Sequence, residues 1–438
     1  MLLLAARFPV PPSSFPQQRQ SWKPPCLMQS LLLLTLFGLM MQICRADDGQ
    51  FPEVTWHGLL DLRYQHSDAA PGELENGLGK LRAGGERDRW RVNEAAATLQ
   101  VRLDWDSMLN ATVKYADRQS TPLDLTEAYL AYRPVGAAGW RLAGRLGMFF
   151  PPISLENTGT AWSSPYTLSS STINAWVSEE LRTFGGELRV DYQTEAGDKL
   201  GVFGAGLANN DTAGLMLAWR GWSLHDFEST LTGRLRLPEG IAIPALFPKQ
   251  AKASQTFVEV DGRPGFYAGI AAERPQRYTL RALYYDNNAD PAALSAGQYG
   301  WHTRFWSLGA KAELPWETTL ISQAMTGRTS MGELLGDLRA VDVGFWSASW
   351  LLSRPLGDGR FSVRYERFGS DERDYLPQDR NGEHGQAWTV NYNLTFAQHH
   401  QLNVEFSRIF SARPARQERG EAAYQEDTLW QVAYRLFF

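Results

Sequence analysis

Residues 430–438 read Trp430-Gln431-Val432-Ala433-Tyr434-Arg435-Leu436-Phe437-Phe438, with an aromatic or aliphatic side chain at every second position back from the last Phe. A period of two belongs to a β-strand with one apolar face, because successive side chains point to opposite sides. The same period returns upstream. In residues 388–396, Trp388, Val390, Tyr392, Leu394 and Phe396 share one face and only Thr and Asn fill the other; in residues 140–150, Trp140, Leu142, Leu146 and Met148 oppose Arg141 and Arg145. Two-faced segments also run through residues 56–66, 97–105, 109–115, 184–193, 278–285, 361–366 and 402–407. With no solenoid repeat and no amphipathic helix of useful length, the chain is predicted to be all-β.

Alternation alone also suits a β-sandwich. Three further features favour a barrel in a membrane. Trp and other aromatic residues stand at strand ends, as with Trp90 and Trp105, Trp140 and Phe150, Trp388 and Phe396, where a bilayer interface places them. Short links (134–139, 194–197, 315–316, 397–398) take turns with long polar ones (67–88, 288–300, 370–383, 411–425). Finally, the ending resembles the insertion signature of Gram-negative outer-membrane β-barrels, in which a last Phe closes the final strand. That resemblance makes Trp430, Val432, Tyr434, Leu436 and Phe438 the expected insertion signal, read by the barrel-assembly machinery. Closure also has a physical motive, since lipid cannot satisfy an open sheet edge.

The alternation yields seventeen strand candidates, whereas an even number is expected when both ends lie on one side. The short and long links fall out of order only between the candidates at 214–221 and 266–273. A strand at 227–237 followed by an external loop at 238–262 repairs the order, so an antiparallel transmembrane barrel of eighteen strands is favoured, with sixteen as the alternative.

Residues 31–41 form an eleven-residue apolar run that ends near Cys44-Arg45-Ala46, the pattern of a cleaved signal peptide. Residues 1–46 are therefore expected to be signal peptide and N-terminal extension, and 47–438 one barrel domain. Beyond residue 46 no window approaches the ~18 apolar residues of a membrane helix. Cleavage after Ala46 removes Cys26 and Cys44, and with them thiol chemistry. It also removes four of the 43 basic residues and none of the 48 acids, for a mature charge of −9; a general nucleic-acid footprint is absent.

One stretch departs from the pattern. Residues 151–182 interrupt two strands without clear alternation, and such a segment is usually functional. It is expected to fold into the lumen as a constriction loop or, alternatively, to lie over the mouth. Gly147-Met148-Phe149-Phe150-Pro151-Pro152-Ile153-Ser154-Leu155-Glu156 resembles the strand end and start of the inserted loop in the phosphate-selective porin O and P family, and Leu125-Thr126-Glu127-Ala128-Tyr129-Leu130 is similar to another of its strands. The resemblance implies a porin, and with it an expected homotrimer. Taken as lumen, the polar faces of the early strands carry Arg63, Arg102, Lys114, Arg141, Arg145 and Arg189, among acids such as Asp61, Glu187 and Asp191; the loop adds Glu156, Glu179 and Glu180. These nine are the candidate pore-lining residues. A basic wall facing an acidic loop would set a transverse field favouring small polar solutes; the same charges could instead pair across strands and stiffen the wall.

Catalysis finds little support. There is no Gly-x-Ser-x-Gly and no His-Glu-x-x-His. Asp286, Asn288 and Asp290 begin a calcium-loop pattern, but Pro291 replaces its Gly. No cofactor or metal is expected. The reading is a channel for passive diffusion of small hydrophilic solutes across the outer membrane; the alternative is a barrel with a blocked lumen that works as an enzyme or adhesin through its long loops.

Overall fold

The computed structural model describes residues 51–438 apart from Glu73, Leu74, Ala83, Glu86, Asp117, Arg118, Ala137 and Ala138. The expected signal peptide and both cysteines lie outside the described residues. Sixteen strands form one closed sheet: β1 (Glu53–Ser67), β2 (Asp88–Arg102), β3 (Ser107–Tyr115), β4 (Leu123–Tyr132), β5 (Trp140–Phe149), β6 (Thr183–Gln193), β7 (Lys199–Ala208), β8 (Gly265–Arg274), β9 (Tyr278–Asp286), β10 (His302–Leu314), β11 (Thr318–Leu335), β12 (Leu338–Leu356), β13 (Gly359–Glu372), β14 (Glu383–Phe396), β15 (His400–Ala412) and β16 (Tyr424–Phe437). Neighbours in sequence are antiparallel neighbours in the sheet, and β16 closes on β1 from Leu59↔Phe437 to Ser67↔Leu429. Phe438 extends that seam. Its backbone exchanges two hydrogen bonds with Gly58, at 2.7 and 3.2 Å, and a Cβ on Gly58 would lie 2.0 Å from the Phe438 ring.

The alternation sets the faces. On β16, Trp430 and Val432 are exposed whereas Gln431, Ala433 and Arg435 are buried. Exposed aromatic residues ring the barrel near both ends, with Trp105, Trp140 and Trp316 towards the short turns and Trp90, Trp306 and Trp346 towards the long links, as a bilayer requires. The short turns are tight. Trp316 and Glu317, like Ala397 and Gln398, have positive φ within three-residue links, a conformation uncommon for residues other than glycine. No helix among the described residues is long and apolar enough to cross a membrane.

The observed count is sixteen, the alternative to the favoured eighteen. The candidate strand at 214–221 is a short buried helix, Leu215–Trp219. Its five apolar residues run without alternation, and such a run suits a buried helix as well as a buried strand. The candidate at 227–237 does not join the barrel either. β7 pairs directly with β8, and only Leu235–Arg236 forms a small ribbon, with Ala253–Ser254. Residues 209–264 are thus a single insert between β7 and β8. Its apolar side chains, with Trp301, Met331 and Val341, build a second core at the long-link end of the barrel.

Candidate functional site

The site is the lumen, and the 151–182 loop enters it from β5. The strand ends in a close backbone approach, since Gly147 has φ +135° and a Cβ there would lie 2.3 Å from the Ala128 carbonyl oxygen, a geometry that suits glycine. Phe150 then stacks on Trp162 at 4.5 Å, and the Arg182 guanidinium sits over the same ring at 4.8 Å. From this hinge the loop crosses to the far wall. Gln323 on β11 bonds both Leu155 N–H and the Ile153 carbonyl, at 3.4 and 3.3 Å. Glu156 meets Arg364 of β13 at 2.5 Å, and Arg364 also binds Glu366 at 2.9 Å and the carbonyls of Ser169 and Ser170 at 2.7 and 3.1 Å. On β15, Glu405 accepts the N–H groups of Leu168 and Ser169 and the Ser169 hydroxyl.

The loop ends in helix α1 (Thr172–Glu180), about two and a half turns long, started by Ser171 as N-cap, a preferred residue there, and buried throughout. Its two terminal glutamates hold the 209–264 insert. Glu179 and Arg220 form a forked ion pair, which holds Glu179 down to about 2 against the raising effect of burial. Glu180 accepts the Trp176 indole N–H at 2.7 Å and the backbone N–H groups of Met216 and Leu217 at 2.9 and 3.2 Å. Burial and the neighbouring Glu179 nevertheless push it up to about 7.

The insert also reaches the wall near β1 to β3. Asp226 pairs with Arg63 at 2.8 Å and Arg82 at 3.4 Å, and Glu228 with Lys114 at 2.9 Å. Lys80, from the link between β1 and β2, is fully buried against Glu383 at 2.6 Å.

A different environment lines β5 to β9 towards the short turns. Arg145 forks onto Glu187 at 2.8 and 3.1 Å and donates to the Phe150 carbonyl at 3.0 Å. Arg189 pairs with Asp191 at 2.8 Å, and Lys199 with Glu273 at 2.7 Å. Here side chains keep water: Arg145 and Arg189 are each 20% exposed and Lys199 31%. Arg281 donates to the Pro152 carbonyl at 2.7 Å. Two adjoining cavities, about 420 and 570 Å³, share Arg133, Ala143 and Arg189 in their linings and form this vestibule.

The candidate pore-lining residues therefore divide. Arg102, Arg141, Arg145 and Arg189 face the vestibule, Arg102 in an exposed pair with Glu53. Arg63, Lys114, Glu156, Glu179 and Glu180 are buried. The loop acids do not face the basic wall across open water; they are matched by Arg364, Arg220 and backbone N–H groups. Sequence reasoning missed Arg364, Glu366, Glu405 and Arg281, because it took the wall from the early strands. Their signal was there, since Arg364 and Glu366 lie two apart on the polar face of the predicted strand at 361–366.

No family model and no curated protein matches the chain. Solved structures do. The outer membrane channel DcaP of Acinetobacter baumannii aligns with a TM-score of 0.56 at 13% identity, covering 88% of this chain and 97% of that one. The anion-selective porin from Comamonas acidovorans (TM-score 0.49, 12% identity, 88% and 99% covered) and OmpF of Salmonella typhi in complex with daunomycin (0.48, 11%, 88% and 98%) are also similar. At such identity it is the fold that the DcaP likeness shows. Together with the apolar exterior and its aromatic girdles, that fold makes the chain a closed, sixteen-stranded β-barrel of the outer membrane.

Proposed function

We propose that the protein is a porin through which small hydrophilic solutes diffuse passively, along a water-filled strip between the β5 to β9 wall and the 151–182 loop. The observation that carries the reading is the contrast between the two halves of the lumen. The wall from β11 to β16 is sealed by the loop, with Arg364 and Glu405 both fully buried, while Arg141, Arg145, Arg189 and Lys199 stay partly exposed around the vestibule. Charges of both signs there suit polar solutes over apolar ones. The nine candidate residues act in two ways on this view: Arg102, Arg141, Arg145 and Arg189 line the passage, and the five buried ones brace the loop and insert that narrow it. A homotrimer, inserted by the barrel-assembly machinery through the strand ending at Phe438, is part of the proposal. Kinship with the phosphate-selective porin O and P family is supported by residues 147–156 and 125–130. Phosphate selectivity is left out of the proposal, since residues 151–181 hold no Lys or Arg.

A second reading, a barrel with a closed lumen that acts as an enzyme or adhesin through its external segments, is favoured by the apolar core built over the long-link end from Trp219, Phe247 and Trp301. Single-channel recording in planar bilayers separates the two. Discrete conductance steps are expected; a folded protein, shown by faster migration in SDS before heating than after, that yields no steps would overturn the porin reading.

A further inference from the structure

We infer that the outward face of β10 to β13 holds a phosphorylated lipid of the outer leaflet, its phosphate among Arg304, Arg328 and Arg373 and an acyl chain in the groove beneath them. Arg304 on β10 lies directly across from Arg328 on β11, and Arg328 directly across from Gly344 on β12. Their strands alternate, so all three share the face that shows the exposed Trp306 and Trp346, while Phe305 and Phe345 are buried inside. They stand two residues, or about 7 Å, beyond those tryptophans towards the long links, the external side of such barrels. Headgroups lie at that depth. Arg373, at the end of β13, lays its guanidinium over Gly344, where a Cβ would come within 3.0 Å of it. The glycine makes room for a third cation beside the first two.

Like charges directly opposite one another on a sheet destabilise it, and little nearby offsets these. Arg328 forks onto the buried Asp342 and keeps 43% of its side chain exposed. Asp286, across from Arg304, is engaged by His302 at 3.0 Å and by the Asn288 N–H at 2.8 Å. Asp371, across from Gly344, is exposed. Among the described residues, neither Arg304 nor Arg373 has a carboxylate partner or a side-chain hydrogen bond. The same holds for Arg367, exposed on the outward face of β13 beside Ala348 and two strands, or about 10 Å, round from Arg328. Arginine on a lipid-facing wall is unfavourable, whereas the oxygens of a phosphate match the guanidinium fork. Towards the short turns the face hollows. Ala310, Ser322, Ala324 and Ala348 are small, Leu308 and Trp350 rise beside them, and together they line part of an outward groove of about 920 Å³. Free phosphate would answer the arginines and leave the groove bare, and a neutral lipid would do the reverse. A lipid with phosphates at two places on its headgroup answers the trio, Arg367 and the groove. This face lies outside the lumen, so the inference does not depend on conduction.

The test is native mass spectrometry of the full-length folded protein in nonionic detergent, titrated with hexa-acylated diphosphoryl lipid A, beside phosphatidylglycerol and inorganic phosphate. Retention of one lipid A, at lower concentration than phosphatidylglycerol, is expected. In Arg304→Gln/Arg373→Gln retention should weaken about tenfold or more; Arg328 is left in place because Asp342 needs it. Ala324→Phe, which fills the groove, should weaken it with the arginines intact. Faster migration in SDS before heating than after checks that each variant is folded. Failure of the unaltered protein to retain lipid A, or equal retention by the folded arginine variant, overturns the inference. Phosphatidylglycerol held as tightly overturns the outer-leaflet assignment, and displacement of lipid A by millimolar inorganic phosphate overturns the lipid. A change in subunit number with lipid A retention unaltered would give the face to a second copy of the chain instead.

Discussion

Replacing Arg364 by Met should detach the 151–182 loop from the wall and leave the barrel closed. The guanidinium is fully buried and bridges two carboxylates, Glu156 and Glu366, while donating to the carbonyls of Ser169 and Ser170. Methionine fills much of the same volume without charge. Two buried carboxylates would then lose their cation, with Glu405 close enough to add repulsion. Removing one partner from a buried ion pair typically costs about 3–5 kcal/mol. At about 1.4 kcal/mol per factor of ten, the population of detached loop should rise roughly 10²- to 10⁴-fold. The sixteen-strand ladder does not depend on this group, so heat-modifiability in SDS should persist. The sensitive readout is hydrogen exchange at Leu168, Ser169 and Thr172, whose N–H groups donate to Glu405 and Glu366; all three should lose protection by that factor, and channel conductance should rise with them. Adding Glu156→Gln and Glu366→Gln should restore much of the protection, because the two carboxylates that lost their bridging cation are then neutral. Unchanged exchange in the folded single variant would refute the claim that this cluster holds the loop.

Three further outcomes are expected. Changing Arg141 and Arg145 to Glu reverses two charges beside the vestibule, so reversal potentials across a KCl gradient should move towards cation selectivity, and less so as salt shortens a screening length of about 10 Å at 0.1 M; an unshifted potential in a conducting variant would remove both from the passage. Gly58→Val drives a side chain into the Phe438 ring, and overpacking of this kind costs about 1–3 kcal/mol, so this variant and deletion of Phe438 should both lower the amount of assembled barrel in outer-membrane fractions, with secretion unaltered. In the insert, burial first, and then the carboxylates of Glu259 and Asp261, push Asp211 from its ordinary 3.8 up to about 7. The folded insert thus binds a proton that the unfolded chain releases; the resulting stabilisation is complete below about pH 4 and is lost as pH rises through about 7. Residues 209–264 should therefore be cleaved faster by protease at pH 8 than at pH 5, and Asp211→Asn should flatten that difference.

Much of the barrel was legible along the chain because a strand's face is a local property. Trp430, Val432 and Phe438 point outward, and Arg141 and Arg145 inward, whatever lies across the lumen, since the pleat alternates them. The inward loop was legible as well, through the break in alternation after Phe150. The strand count was less so: Leu215–Trp219 is apolar at every position, and a segment buried on all sides carries no period to read. Which charges are hydrated was not legible at all. Arg145 and Arg364 each stand on the polar face of an alternating strand, yet one borders the vestibule and the other is sealed beneath Glu156, a residue 208 positions away in sequence. Pairing at that distance depends on where the loop crosses the lumen, and the crossing is set by contacts with β11, β13 and β15 that exist only once the sheet has closed. Polarity along a strand chooses a face; burial of that face depends on whatever the folded chain lays over it.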